Sequence, residues 1–136
     1  MIRHLKNNFM QAAFGSTVWV ALLTLLFTDQ MTIPISFIWR LLAIGSLLGL
    51  VFGVVYPYLW DYSVFKARVN ILLSTLFNTL CSFAVIFLYS KELFSLIQPF
   101  FLPILLITLM GHLLGFYFYS NYTNRKLAAE LNKAKK

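Results

Sequence analysis

The sequence predicts an all-α, polytopic membrane protein with four transmembrane helices, both termini cytoplasmic, and a fourth helix extended into a basic cytoplasmic arm. Three observations predict it. First, four apolar stretches fill most of the chain: Phe9 to Phe27, Phe37 to Tyr58, Val69 to Tyr89 and Phe100 to Tyr119. About twenty residues at roughly 1.5 Å rise cross a hydrocarbon core of roughly 30 Å, so each stretch suffices for one helical span. Second, 60% of residues are hydrophobic and 11% are charged. Average soluble domains carry roughly 25% charged residues, so this chain cannot clothe itself in polar surface.

Third, lysine and arginine are partitioned. The N-terminus (Arg3, Lys6), the central loop (Lys66, Arg68) and the tail (Arg125, Lys126, Lys133, Lys135, Lys136) hold nine, whereas the opposite segments hold only Arg40 and Lys91. The positive-inside rule then puts both termini in the cytoplasm of a multi-pass membrane protein. The net charge of +7 is read accordingly as a topology signal rather than a nucleic-acid footprint. Residues 1–122 form the transmembrane domain and 123–136 a basic cytoplasmic helical tail.

The first span follows Asn7-Asn8 and ends near Thr28-Asp29, with Gly15, Ser16 and Thr17 near its cytoplasmic end. Arg3 and Lys6 ahead of an apolar run imitate a signal peptide, but no small-residue cleavage site follows and three more spans do. The loop from Asp29 to Ser36 only joins two helices.

The second span opens on Trp39 and Arg40, suited to a headgroup boundary. It carries the clearest pattern in the chain, Gly45, Gly49 and Gly53 at i, i+4 and i+8 on one helix face. Without side chains there, another helix can approach closely, and in lipid such packing replaces the missing hydrophobic drive. The occupant is either a neighbouring helix of the same chain or the seam of a homo-oligomer or partner. Gly49→Leu is expected to be the most damaging change in this span. Pro57 is expected to end or bend the helix.

Leu59 to Arg68 reads as a central loop in which Trp60, Asp61, Tyr62, Lys66 and Arg68 mix aromatic rings with charge. Such rings anchor at headgroup level, and the same residues offer a docking surface. In the third span Asn70, Ser74, Asn78 and Ser82 recur every four residues, with Thr75 and Thr79 one position round. This polar stripe serves either as hydrogen-bonding glue between helices or as a route for solute or protons.

Ser90 to Gln98 is an apolar outer loop expected to rest on the membrane. Pro99 and Pro103 open the fourth span, where a missing amide hydrogen costs least. That span holds a second glycine pair, Gly111 and Gly115, and His112, a candidate sensor because it alone within the spans titrates readily near neutral pH. Past Tyr117, Tyr119 and Tyr122 come Arg125 and Lys126. Leu127, Leu131 and Ala134 then repeat at helical spacing, as in a membrane-surface or protein-binding arm.

No nucleophile stands with a base, no carboxylates pair, no glycine loop cradles phosphate, and no metal-ligand spacing occurs, so neither an enzyme nor a cofactor is expected. The lone Cys81 builds no disulfide or thiolate site. Asp29, Asp61, Glu92 and Glu130 all fall outside the spans, which weakens a proton-coupled exchanger. The alternative function is a small transporter or channel subunit using Asn70, Asn78 and His112 as a polar route. The tail lacks a folded recognition element, so no direct nucleic-acid binding is expected.

The chain resembles a family of small bacterial four-span membrane proteins, the inhibitor subunits of LytTR regulatory systems. The features that carry the resemblance are Gly45, Gly49 and Gly53, the Trp60 to Arg68 segment with Ser63 and Lys66, and the exit through Tyr117, Tyr119 and Tyr122 into Arg125 and Lys126. The resemblance implies an anti-activator that holds a LytTR-type DNA-binding transcription regulator at the inner leaflet, with the loop and tail as docking surfaces. The inner loop has one acidic residue, Asp61.

Overall fold

The computed structural model describes residues 1–27 and 32–134; Thr28, Asp29, Lys135 and Lys136 lie outside them. It is helical, with no strand among the described residues. Helix α1 is Ile2–Phe27 and α2 begins at Ile35–Leu50. The latter runs on through π-helical turns at Val51–Val55 and Tyr58–Tyr62, making one continuous helix Ile35–Tyr62. Helix α3 is Ala67–Tyr89, α4 is the short Lys91–Ile97, and after a 3-10 turn at Gln98–Phe100, α5 is Phe101–Ala134.

Four helices are long and apolar enough to cross a membrane. At roughly 1.5 Å per residue, the 23 residues of α3 span about 35 Å. The outward-facing side chains suit lipid: Phe14 is 74% exposed and Ile107 69%. Exposed apolar surface on this scale belongs in hydrocarbon.

The helices pack mainly in chain order, α1 along α2, α2 against α3, and α3 against α5. Most of the buried residues belong to α2 and α3, among them Ile44, Val51, Ile71, Ser74, Thr79 and Phe83. Only Thr24 is buried on α1. The two outer helices are therefore held by narrow seams.

The α1 seam is the glycine face. A Cβ at Gly49 would stand 2.6 Å from Ala13 Cβ, and one at Gly53 would stand 2.6 Å from both Phe9 Cα and Asn8 O. One at Gly45 would overlap Thr17 Oγ1 and stand 2.9 Å from Ala13 O. The start of α1 thus lies against the end of α2, antiparallel, with backbones in near contact where only hydrogen fits. Gly111 and Gly115 differ from the expectation of helix packing: a Cβ at either meets open space, so no helix of this chain lies against them.

Several boundaries differ from those read in the sequence. The first helix starts at Ile2, seven residues before Phe9, because its polar first turns still have helical backbone partners. Pro57 neither ends nor interrupts α2. Proline removes an amide donor and crowds the carbonyl one turn back, and the wider π turns on either side relieve both problems. The central loop consequently shrinks to residues 63–66, with Arg68 already inside α3. The outer loop is likewise helical: Ser90 caps α4 by accepting from Leu93 N–H at 3.3 Å. Phe94 then packs edge-on against Phe83 and Phe87 of α3.

Candidate functional site

The end of the body that carries the N-terminus, the 63–66 loop and the C-terminal half of α5 gathers most of the residues singled out as partner-binding. Asn70 ties this end together. Its Nδ2 donates to Leu59 O at 2.7 Å, and its Oδ1 accepts from Ser63 Oγ at 2.9 Å. Ser63 Oγ in turn accepts from Phe65 N–H at 3.3 Å. One amide side chain so satisfies a carbonyl in the last turn of α2 and fixes the loop that leads into α3.

Trp60 is turned inward, unlike the exposed docking residue expected. Its Nε1–H donates to the fully buried Ser74 at 3.1 Å, and its ring lies 5.9 Å from Phe116 and 6.0 Å from Tyr119 of α5. The half-buried indole's contacts with α3 and α5 outweigh anchoring at headgroup level. What the loop displays instead is Val64, 97% exposed, with Phe65, Tyr62, Asp61, Lys66 and Arg68 also exposed. Val64 and Phe65 lie within the loop read from the sequence but were not singled out there, because nothing local shows that Trp60 turns away and leaves them outermost.

Helix α5 supplies the second half of this surface. Residues 124–133 are all exposed, including Arg125, Lys126, Leu127 and Leu131, and Tyr122 is 70% exposed. At roughly 1.5 Å per residue the 34-residue α5 is about 51 Å long, about 20 Å more than a bilayer core needs. Leu127 and Leu131 stand one turn apart on a face that none of the described residues covers.

His112 occupies a three-helix node. Its Nδ1 lies 3.0 Å from Thr75 Oγ1 of α3, and its Nε2 is hydrogen-bonded to Tyr56 OH of α2. Thr75 Oγ1 is also 2.8 Å from Ile71 O. A carbonyl only accepts, so the threonine proton goes to Ile71 and the imidazole Nδ1–H donates to Thr75. Nε2 then accepts from the tyrosine O–H. A neutral imidazole in that one tautomer satisfies every polar atom of the node. Tyr56 escaped sequence analysis, although Phe52, Tyr56 and Trp60 repeat every four residues and face the His112, Phe116 and Tyr119 side of α5.

The rest of the α3 stripe divides. Ser74 and Thr75 are engaged as described, whereas the buried Thr79 Oγ1 has no hydrogen-bond partner. Asn78 and Ser82 are half-buried. Among the described residues, no group of three or more His, Cys, Asp or Glu side chains gathers as for a metal ion. No protein-family model, curated protein or solved structure matches the chain.

Proposed function

We propose that the chain is a membrane-bound anti-activator that sequesters a LytTR-type DNA-binding transcription regulator at the inner face of the bacterial cytoplasmic membrane. One observation carries it: the end of the body bearing both the 63–66 loop and the long α5 extension displays apolar and basic side chains that none of the described residues covers. Val64, Phe65 and Tyr62 offer apolar anchors beside Lys66 and Arg68, and Leu127 with Leu131 offers a second apolar strip flanked by Arg125 and Lys126. The lysine and arginine distribution supports a cytoplasmic location for that end. Sequestration requires no chemistry, only affinity and confinement to the membrane.

The transporter reading finds less support. Asn70 and His112, two of the three polar groups such a route would use, are tied into hydrogen bonds that join helices.

Truncation after Tyr122 tests the arm. The shortened chain should insert normally yet lose the regulator in co-purification, and reporter output should rise. Val64→Asp with Phe65→Ser should do the same from the loop. Retained co-purification and unchanged reporter output in both variants would refute the proposal.

A further inference from the structure

At the opposite end of the body, where α4 lies, three clefts converge on one hydrogen-bonded pair. The largest, about 480 Å³, is lined by Thr24 of α1, Phe37 of α2 and Tyr89 of α3, and reaches Ser90 and Glu92. Two apolar clefts adjoin it: one of about 210 Å³ between α1 and α2 that shares Thr24 and Phe37, and one of about 280 Å³ between α1, α3 and α4 that shares Tyr89. Both are open at the surface of the helix bundle, so an alkyl chain has sideways access from lipid.

The polar chemistry of the junction is acceptor-rich. Thr24 Oγ1 lies 2.8 Å from Val20 O, and a carbonyl only accepts, so the threonine proton is committed there. The Tyr89 hydroxyl, 3.2 Å from the same Thr24 oxygen, must then donate to it. Its lone pairs remain for the cleft. Glu92 adds a carboxylate, and among the described residues no lysine, arginine or histidine lines this cleft. Acceptors of this kind call for a cationic head with several N–H donors. The Ser90 hydroxyl, whose oxygen accepts from Leu93 N–H, has its own proton to donate, and the Thr32 hydroxyl stands at the rim.

We propose that this junction binds a bilayer phospholipid whose head carries a primary ammonium group. The ammonium lies between Glu92 and the Tyr89 oxygen, the neighbouring phosphate takes the Ser90 and Thr32 hydroxyl protons, and one acyl chain fills the apolar cleft between α1 and α3. A lipid is favoured over a free amine because apolar clefts open between membrane-spanning helices, where acyl chains are already concentrated. Lipid in general fills such grooves, so selectivity resides in the head: a trimethylated head has no N–H to give, and an anionic head meets the Glu92 carboxylate. This site is independent of the regulator reading and lies at the other end of the body.

The test is native mass spectrometry of the full chain released from detergent, titrated with phosphatidylethanolamine, phosphatidylcholine and phosphatidylglycerol of matched acyl chains. Phosphatidylethanolamine should bind about fivefold more tightly than either, the scale of one charge-assisted contact at a half-exposed site. Glu92→Gln, which keeps the side chain's size, should bring the three lipids within about twofold. Val85→Trp, which fills the apolar cleft, should weaken all three together. Equal binding of the three lipids by the unaltered chain, or an ethanolamine preference that survives Glu92→Gln, would overturn the proposal. So would dodecylamine binding with no lipid preference, which would make the ligand a free amine, or a dimer mass with no lipid bound, which would make the occupant a second copy.

Discussion

Gly53 is the position at which a single methyl group should do most harm. A Cβ there would lie 2.6 Å from Phe9 Cα, Phe9 N and Asn8 O, all backbone atoms of α1. Ordinary contact between carbon atoms is about 3.5–4.0 Å, so α1 must retreat by about 1 Å at that level. No flexible side-chain end is available to give way. At Gly49 only the Ala13 Cβ lies at 2.6 Å and the Ala13 Cα and N lie at 3.0 Å, so α1 has less far to retreat than at Gly53, where three backbone atoms lie at 2.6 Å. For a single added methyl the closest backbone contacts are at Gly53, whereas the sequence singled out Gly49, for leucine. Overpacking a well-fitted contact costs about 1–3 kcal/mol. In lipid the close contact is itself the attraction, so separation has little to offset it.

Gly15 and Gly111 provide internal controls, because a Cβ at either meets nothing within 4 Å. There, alanine should stabilise by about 0.5–1 kcal/mol through helix propensity alone. The assay is reversible unfolding of single alanine variants in mixed micelles. The expected order of stability is Gly15→Ala and Gly111→Ala above the unaltered chain, then Gly49→Ala, then Gly53→Ala. If Gly53→Ala is as stable as Gly15→Ala, α1 does not pack on the glycine face and the helix arrangement described above is wrong.

Two further predictions concern buried polar groups. Thr79→Val should stabilise by about 1–2 kcal/mol, since it replaces a buried hydroxyl that has no partner with a methyl of similar shape; a loss of stability in the same unfolding assay would mean that the hydroxyl is bonded. His112→Leu should cost about 1–3 kcal/mol by stranding the Tyr56 hydroxyl. In a double-mutant cycle with Tyr56→Phe the two costs should be strongly non-additive, and simple additivity would show that the pair does not interact.

How much of this was legible in the sequence depends on whether one helix or two determine the feature. The four apolar runs and the single face shared by Gly45, Gly49 and Gly53 follow from one helix's periodicity, and both appear in the structure at those residues. The continuation of α2 through Pro57 was not legible, because it rests on π turns whose cue is subtle beside that of a proline. In the sequence Trp60 reads as an interfacial anchor or a docking residue, and its inward turn shows only once Ser74, Phe116 and Tyr119 approach from two other helices. The pairing of His112 with Tyr56 and Thr75 depends on the register of three helices at once. Gly111 and Gly115 have the spacing of a packing face, yet their environment is set by where α3 lies on α5, which no local pattern encodes.

An arm that grips a cytoplasmic regulator has to be cytoplasmic itself. In a Cys81→Ser background, which removes the one native cysteine, a single cysteine at Asn132 can be challenged with a membrane-impermeant maleimide in intact cells, beside a second chain carrying its cysteine at the exposed Ser95 of α4. Asn132→Cys should stay unlabelled until the cells are permeabilised, while Ser95→Cys should label from outside. Labelling of Asn132→Cys in intact cells would put the arm on the wrong side of the membrane and contradict the proposed function.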